Sequence, residues 1–148
     1  MDLNQDDIDA IRASYMQLSS DLQHAGDIFY EALFEIAPET RNLFLADMSA
    51  QSMKLMSTLG LVVSQLQNSD ELEPVVRDLA LRHLAYGVEE KHYEQVREAL
   101  MKMLTVLLDH EGAAAAQAAW ARAYDALAGV MVKVAYPERR SGISALVD

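Results

Sequence analysis

The chain has 148 residues, of which 12 are basic and 23 acidic, so its formal net charge is −11, and it contains no cysteine. This length fits one domain that buries roughly 68–70% of the surface of its unfolded chain, and the negative charge disfavours binding to nucleic acid or to an anionic membrane surface. Because cysteine is absent, disulfides, thiolate catalysis and zinc–thiolate sites are excluded.

The first segment, MDLNQDDIDAIRASYMQL, begins with acidic residues, whereas a secretory signal peptide begins with basic ones. Its apolar residues recur at helical spacing and predict an amphipathic first helix. The inward positions of this helix are Ile8, Ile11, Tyr15 and Leu18. The most apolar stretch of the chain, residues 55–66, is too short and too polar to cross a bilayer. We therefore expect a cytoplasmic protein.

Two further helices are predicted on either side of a proline. The second helix begins near residue 25 and stops near Pro38, because the residue before a proline is pushed out of the helical conformation. A short turn that carries Phe44 follows, and the third helix covers about residues 49–67. The inward side of this third helix carries Gln51, Leu55, Leu59, Val62 and Leu66.

Cap and stop residues bound the fourth helix. It covers residues 69–87, with Ser69 or Asp70 as its N-cap and Gly87 as its stop. The fifth helix follows at once and covers about residues 89–110, with apolar residues on one side and charged residues outside.

The sixth helix covers residues 113–136 and ends before Pro137. Six helices of unequal length with a corner at Pro38 do not match a symmetric four-helix bundle. The sequence therefore predicts an all-α fold with one domain over residues 1–136. The polar segment 137–148 is expected to be a loose tail.

An imidazole interrupts the apolar side of the fourth helix. The residues on that side recur at spacings of four, three and four, and they are Leu72, Val76, Leu79 and His83. A core histidine bonded to a backbone carbonyl is the commoner interpretation of such an imidazole. The functional interpretation is a metal or haem ligand. Haem needs little more than one strong axial ligand and a large apolar slot.

The other histidines do not build a metal site with His83. His92 lies nine residues further on, beyond the glycine, while His24 and His110 lie near helix ends, and we expect all three to be solvated. The sequence has no HExxH motif, no GxSxG elbow and no glycine-rich phosphate loop. A metal centre made by protein ligands alone and nucleophilic hydrolysis are therefore both disfavoured.

Three segments of the chain carry a family resemblance. Residues 29–44, FYEALFEIAPETRNLF, look like the second helix of globins and the corner that follows it. Residues 81–96, LRHLAYGVEEKHYEQV, resemble the proximal segment of single-domain bacterial haemoglobins and of the globin half of flavohaemoglobins. Residues 118–132, AAWARAYDALAGVMV, resemble their last helix. The resemblance covers about residues 5–135 and implies a globin fold, with helices packed around a haem pocket.

The resemblance implies roles for individual residues on the proximal side. His83 would be the axial ligand of the haem iron, and Tyr93 would pack behind it. The haem would be noncovalent and of the b type, since the chain has no CxxCH motif. The further haem contacts that it implies are Phe44 at the corner, Leu55 over the haem face and Val88 after the proximal helix.

On the opposite, distal face the resemblance implies a polar pocket formed by Tyr30 and Gln51. A core tyrosine bonded to a backbone carbonyl is the alternative for Tyr30, and a cap or surface position is the alternative for Gln51. A shift of one residue in the loop 45–50 would place Ser52 in the pocket instead. Lys54 is either a partner of a haem propionate or a solvated lysine.

The resemblance implies reversible binding of dioxygen, nitric oxide or carbon monoxide at the haem. Flavohaemoglobins carry a glutamate fifteen residues after the tryptophan of the last helix, but counting from Trp120 reaches Ala135 here. Without that carboxylate the proximal imidazole donates electron density to the iron less strongly, which favours gas binding over catalysis. Nitric oxide dioxygenation or a peroxidase-like reaction with a separate reductase stays an alternative, as does a haem-free interaction module. Pairing into a homodimer is also left open.

Overall fold

Helical spacing of apolar residues produces secondary structure close to where the sequence predicts it. The structure is a computed structural model that describes residues 3–44, 47–108 and 111–137. In these ranges the α-helices are α1 (Gln5–Leu18), α2 (Leu22–Ile36), α3 (Met48–Ser64), α4 (Ser69–Ala85), α5 (Glu90–Leu107) and α6 (Ala113–Ala135). The all-α prediction is confirmed, and none of these helices has the length and apolarity needed to cross a membrane. His110 and residues 138–148 of the predicted tail lie outside the described residues.

Local side-chain chemistry sets several helix ends. At the start of α1, the Asn4 side chain accepts a hydrogen bond from the Asp7 N–H at 2.8 Å. After α2, Pro38 opens a short 3-10 helix (Pro38–Leu43), as its fixed backbone angle predicts. After α4, Gly87 adopts a φ of +91°, a left-handed conformation that favours glycine. The predicted stops at Pro38 and Gly87 are therefore both confirmed.

The cap of α4 differs from the prediction of Ser69 or Asp70. The helix already includes Ser69, so the cap position falls on the preceding residue, Asn68. The Asn68 side chain accepts a hydrogen bond from the Glu71 N–H at 3.4 Å. Asparagine is as good a cap as serine or aspartate, which explains why composition alone placed the boundary one or two residues late.

His92 is buried, so the expectation that it is solvated is wrong. It lies in the first turn of α5 and is only 5% exposed. Its Nδ1 accepts a hydrogen bond from the Glu89 N–H at 2.8 Å, and together the two residues form a capping box. The sequence signal for this capping box is Glu89 followed three residues later by His92, a side chain that can accept a hydrogen bond. His24, by contrast, is exposed as expected.

Small residues let α3 approach its neighbours closely. A Cβ added to Gly26 of α2 would lie 2.6 Å from the Cβ and the carbonyl oxygen of Ser52, so the backbones of α2 and α3 nearly touch. On the other side of α3, the ring of Tyr15 fills the space over Gly60. The Tyr15 hydroxyl donates to the Met56 carbonyl oxygen at 2.7 Å, which ties α1 to α3.

The fourth helix is arranged differently. It packs against α6, while α3 packs against α1 and α2, and within the described residues α3 and α4 do not pack closely against each other. Apolar side chains of both helices, including Leu55 and Leu79, remain only half-buried, as does Phe44 at the corner. The described residues therefore leave apolar surface on α3 and α4 only partly covered.

Candidate functional site

His83 is held by its own helix in a fixed orientation. Its Nδ1 lies 2.7 Å from the carbonyl oxygen of Leu79. Because a carbonyl oxygen only accepts, Nδ1 carries the proton, and the neutral ring keeps a lone pair on Nε2. Burial lowers the pKa of His83, and the nearby charges of Arg82 and Lys54 act in the same direction, against the Leu79 hydrogen bond. The ring is therefore neutral at physiological pH.

The hydrogen bond to Leu79 is compatible with both interpretations of His83. A core histidine would be fully buried, whereas His83 is only half-buried, at the end of a helix whose last turns are largely exposed. A half-buried, neutral imidazole with an unprotonated Nε2 has the chemistry of an axial metal ligand.

Tyr30 and Gln51 lie against each other across the α2–α3 contact. The Gln51 Nε2 donates to the Tyr30 hydroxyl oxygen at 3.3 Å. Tyr30 is buried, and burial raises its pKa, so the hydroxyl keeps its proton. Within residues 3–44, 47–108 and 111–137, neither a side chain nor a backbone carbonyl accepts a hydrogen bond from this hydroxyl. The pair therefore presents a donor that a further molecule could use.

The positions next to Gln51 account for the alternatives left open by the sequence. The N-cap of α3 is Asp47, whose side chain accepts from the Ser49 N–H at 3.0 Å. Ser52 points to α2, where its hydroxyl donates to Asp27 at 2.7 Å. In the structure, Gln51 is the residue in contact with Tyr30.

Aromatic rings continue from Tyr30 to the corner. The ring of Phe44 lies 5.1 Å from that of Tyr30 and 5.8 Å from that of Phe34, in edge-to-face arrangements. Arg41 lies over the ring of Phe34, with its guanidinium carbon 5.0 Å from the ring centroid. Phe44 is thereby fixed next to the distal pair.

The turn after His83 is tied to the end of α6. The Val88 N–H donates to the His83 carbonyl oxygen at 3.0 Å. Tyr136, which follows α6, donates from its hydroxyl to the Val88 carbonyl oxygen at 2.6 Å. No sequence motif marks Tyr136, and its position at the predicted end of a helix, just before Pro137, is the one local signal.

Tyr93 lies in the first turn of α5 with a buried hydroxyl. Among the described residues this hydroxyl has no hydrogen-bond partner. Burial, with a smaller effect of the nearby Tyr136, raises the pKa of Tyr93 to about 12. The Tyr124 hydroxyl donates to the Tyr93 carbonyl oxygen at 2.6 Å, which holds the backbone there. An unpaired buried hydroxyl is costly and indicates a missing partner.

Lys54 of α3 and Tyr86, which follows α4, approach each other. The Lys54 Nζ lies 5.9 Å from the centroid of the Tyr86 ring, and both side chains are exposed. In the described part of the chain, no three histidine, aspartate or glutamate side chains converge as a metal site.

Comparison with known protein families gives a match over most of the chain. The family model described as Globin matches residues 27–131. The chain belongs to the globin family. This confirms the resemblance drawn from the sequence, and globins bind haem and diatomic gases.

The relatives of this globin include proteins of different lengths. It is 28% identical over 143 residues to a neuroglobin of Tetraodon nigroviridis. That match covers 90% of the neuroglobin and 87% of this chain. It is 27% identical over 106 residues to a flavohemoprotein of Rhizobium meliloti (strain 1021), which is 70% of this chain. The match spans only 26% of the flavohemoprotein.

Solved structures show the same fold. The engineered carbene transferase RmaNOD from Rhodothermus marinus superposes with a TM-score of 0.78 at 27% identity, over 99% of both chains. A bacterial globin from Campylobacter jejuni also gives a TM-score of 0.78, at 22% identity, over 93% of this chain and 99% of that one. The predicted globin fold is therefore confirmed.

Proposed function

We propose that this globin binds a b-type haem through His83 and reversibly takes up a diatomic gas beside Tyr30 and Gln51. The observation that carries the proposal is that the His83 ring, whose Nδ1 bond to Leu79 leaves Nε2 unprotonated, is only half-buried at the end of α4. Half-buried apolar side chains on α3 and α4 fit the large apolar surface of a porphyrin.

When bound, haem supplies an iron atom at which a gas molecule coordinates. The chain supplies orientation, through the Leu79 bond that holds the His83 ring and the Val88 bond that holds its backbone. Phe44, Leu55 and Val88 are proposed as apolar haem contacts. We propose Lys54 as a partner of a propionate and Tyr93 as a residue behind the proximal imidazole.

The distal pair supplies donors for the gas. The Tyr30 hydroxyl has a proton to give, and the Gln51 amide supports it from the other side. A hydrogen bond of this kind is worth about 0.5–1.5 kcal/mol net, and more where water is excluded. Dioxygen should therefore leave slowly, which suits tight binding, scavenging or sensing better than delivery. We expect Tyr30→Phe to speed dioxygen release roughly 3–10-fold.

The enzymatic alternatives require an electron donor and a stronger proximal push. Ala135 is buried at the end of α6 and carries no carboxylate to the proximal side. We therefore propose gas binding over nitric oxide dioxygenation or peroxidase-like turnover with a separate reductase. Turnover of nitric oxide in the presence of a reductase would reverse this choice.

An absorption spectrum of the purified protein tests the proposal. Ferric, dithionite-reduced and carbon monoxide-treated samples should show a Soret band that shifts with carbon monoxide. His83→Gly should lose stable haem, and added imidazole should restore it, because the free ring can occupy the vacated position. A His83→Gly variant with an unchanged spectrum would show that another residue binds the iron. Absence of a Soret band after haem is added would favour the haem-free module.

A further inference from the structure

Two hydrogen bonds join the beginning of α3 to the first half of α2, and a third links their α2 residues to each other. The Ser52 Oγ donates to Asp27 Oδ1 at 2.7 Å. The Gln23 Nε2 donates to the same oxygen at 3.0 Å and to the backbone oxygen of Ser49 at 3.1 Å. We refer to Gln23, Asp27 and Ser52 as the interhelix clamp.

The clamp lies where the two helix backbones are closest. Gly26, next to Asp27, leaves no space for a Cβ against Ser52, so α2 and α3 fit in one register only. Ser52 is 1% exposed, so water cannot readily replace Asp27 as the acceptor of its hydroxyl proton. The Ser52–Asp27 bond therefore holds this register against sliding or rotation of α3.

The clamp residues adjoin both distal donors. Gln51 precedes Ser52 in α3, and Tyr30 follows Asp27 by three residues, close to one turn of α2. The Gln51–Tyr30 contact of 3.3 Å is longer than the 2.9–3.0 Å at which such bonds are commonest. A further displacement of a few tenths of an ångström at the first turn of α3 would therefore break it.

We propose that the interhelix clamp positions Gln51 beside Tyr30, and that Ser52 and Asp27 thereby control how fast the gas is released without contacting it. This inference rests on the proposed function. When the Ser52–Asp27 bond is lost, the first turn of α3 moves relative to α2, and the Gln51 amide leaves Tyr30. The gas then loses part of its donor set and leaves faster.

Dioxygen release from the ferrous holoprotein is the first readout, and the C–O stretching frequency of bound carbon monoxide is the second. Ser52→Ala and Asp27→Ala should each speed release about 3–10-fold and move the stretching frequency towards that of Gln51→Leu. Asp27→Asn keeps an oxygen that accepts from Ser52, so its release rate should stay near that of the parent. The stretching frequency separates positioning from general loss of stability, which would leave it unchanged.

Ser14→Ala is the matched control. Ser14 is a buried serine that accepts from the Trp120 ring N–H at 2.8 Å, and it lies in α1, outside the clamp. Its loss should lower the free energy of unfolding while leaving release and the stretching frequency unchanged. If Ser52→Ala yields no folded holoprotein, the pair Asp27→Ala and Asp27→Asn makes the same comparison.

A double-mutant cycle decides whether the clamp acts through Gln51. Ser52→Ala should change the release rate in the parent but not in a Gln51→Leu background. If Ser52→Ala changes the dioxygen release rate equally in both backgrounds, the clamp does not act through Gln51 and the proposal is overturned. The proposal is also overturned if neither Ser52→Ala nor Asp27→Ala changes the release rate. If Gln51→Leu changes that rate and Ser52→Ala does not, Gln51 keeps its distal role and only the clamp proposal is rejected. An unaltered rate in Gln51→Leu instead removes Gln51 from the proposed distal pocket, and the clamp proposal with it.

Discussion

The distal and proximal sides of the candidate site are held in different ways. On the distal side, α2 and α3 meet backbone to backbone at Gly26 and are joined by the hydrogen bond from Ser52 to Asp27. On the proximal side, the end of α4 leaves apolar side chains in solvent. These are Leu81 at 49% exposed, Leu84 at 42% and Tyr86 at 60%.

This contrast indicates which parts of the pocket the protein can position without its cofactor. Tyr30 and Gln51 are placed by contacts between two packed helices. His83 is placed by a hydrogen bond within its own helix, α4. That helix packs on α6, and the turn after it is held by the hydrogen bond from the Tyr136 hydroxyl. Burial against haem would supply the remaining stabilisation of α4, since ligand binding couples to local folding.

Haem removal should produce the largest difference between the two sides. We expect amide hydrogens of residues 80–88 to lose protection by on the order of 100-fold in the haem-free protein, because their helix loses its ligand and its apolar cover. Amides around the Gly26–Ser52 contact should change by less than about threefold. Hydrogen–deuterium exchange with mass spectrometry measures both. Equal loss on the two sides would show that the distal contact also depends on haem.

Gly26→Ala should destabilise the contact between α2 and α3 on the distal side. The added Cβ meets backbone atoms of Ser52, which cannot move away without separating the helices, so we expect a loss of about 1–3 kcal/mol in the free energy of unfolding. Gly129→Ala is the control, because a Cβ there meets nothing within 4 Å and alanine favours a helix. Urea denaturation measures both variants. A neutral Gly26→Ala would mean that the two helices can readjust.

Tyr136→Phe should have the smallest of these effects, and on the proximal side alone. It removes the hydroxyl that donates to the Val88 carbonyl oxygen, which should cost about 0.5–1.5 kcal/mol. Exchange at residues 86–88 should rise, and haem should dissociate a few-fold faster. Tyr86→Phe, at an exposed position, serves as the comparison. If both variants behave alike, the Tyr136 hydroxyl does not hold the turn.

Much of the secondary structure could be predicted because its causes are local. The spacing of Leu72, Val76, Leu79 and His83 predicts a helix side whatever surrounds it, and Pro38 ends a helix through its own ring. The same locality explains the errors. Asn68 and Ser69 are both good cap residues, so only the backbone decides between them, and His92 is buried because it reaches back to the Glu89 N–H.

The sequence by itself determined the helices, the inward position of His83 and, through three segments, the membership in the globin family. Only the tertiary structure decided that Gln51 reaches Tyr30, that Ser52 bonds Asp27 and that Tyr136 holds Val88. Helical periodicity depends on residues three and four apart, and these are visible in any short stretch of the sequence. Contacts between helices depend on the register and separation of elements far apart in the chain, which are settled by packing the whole core at once.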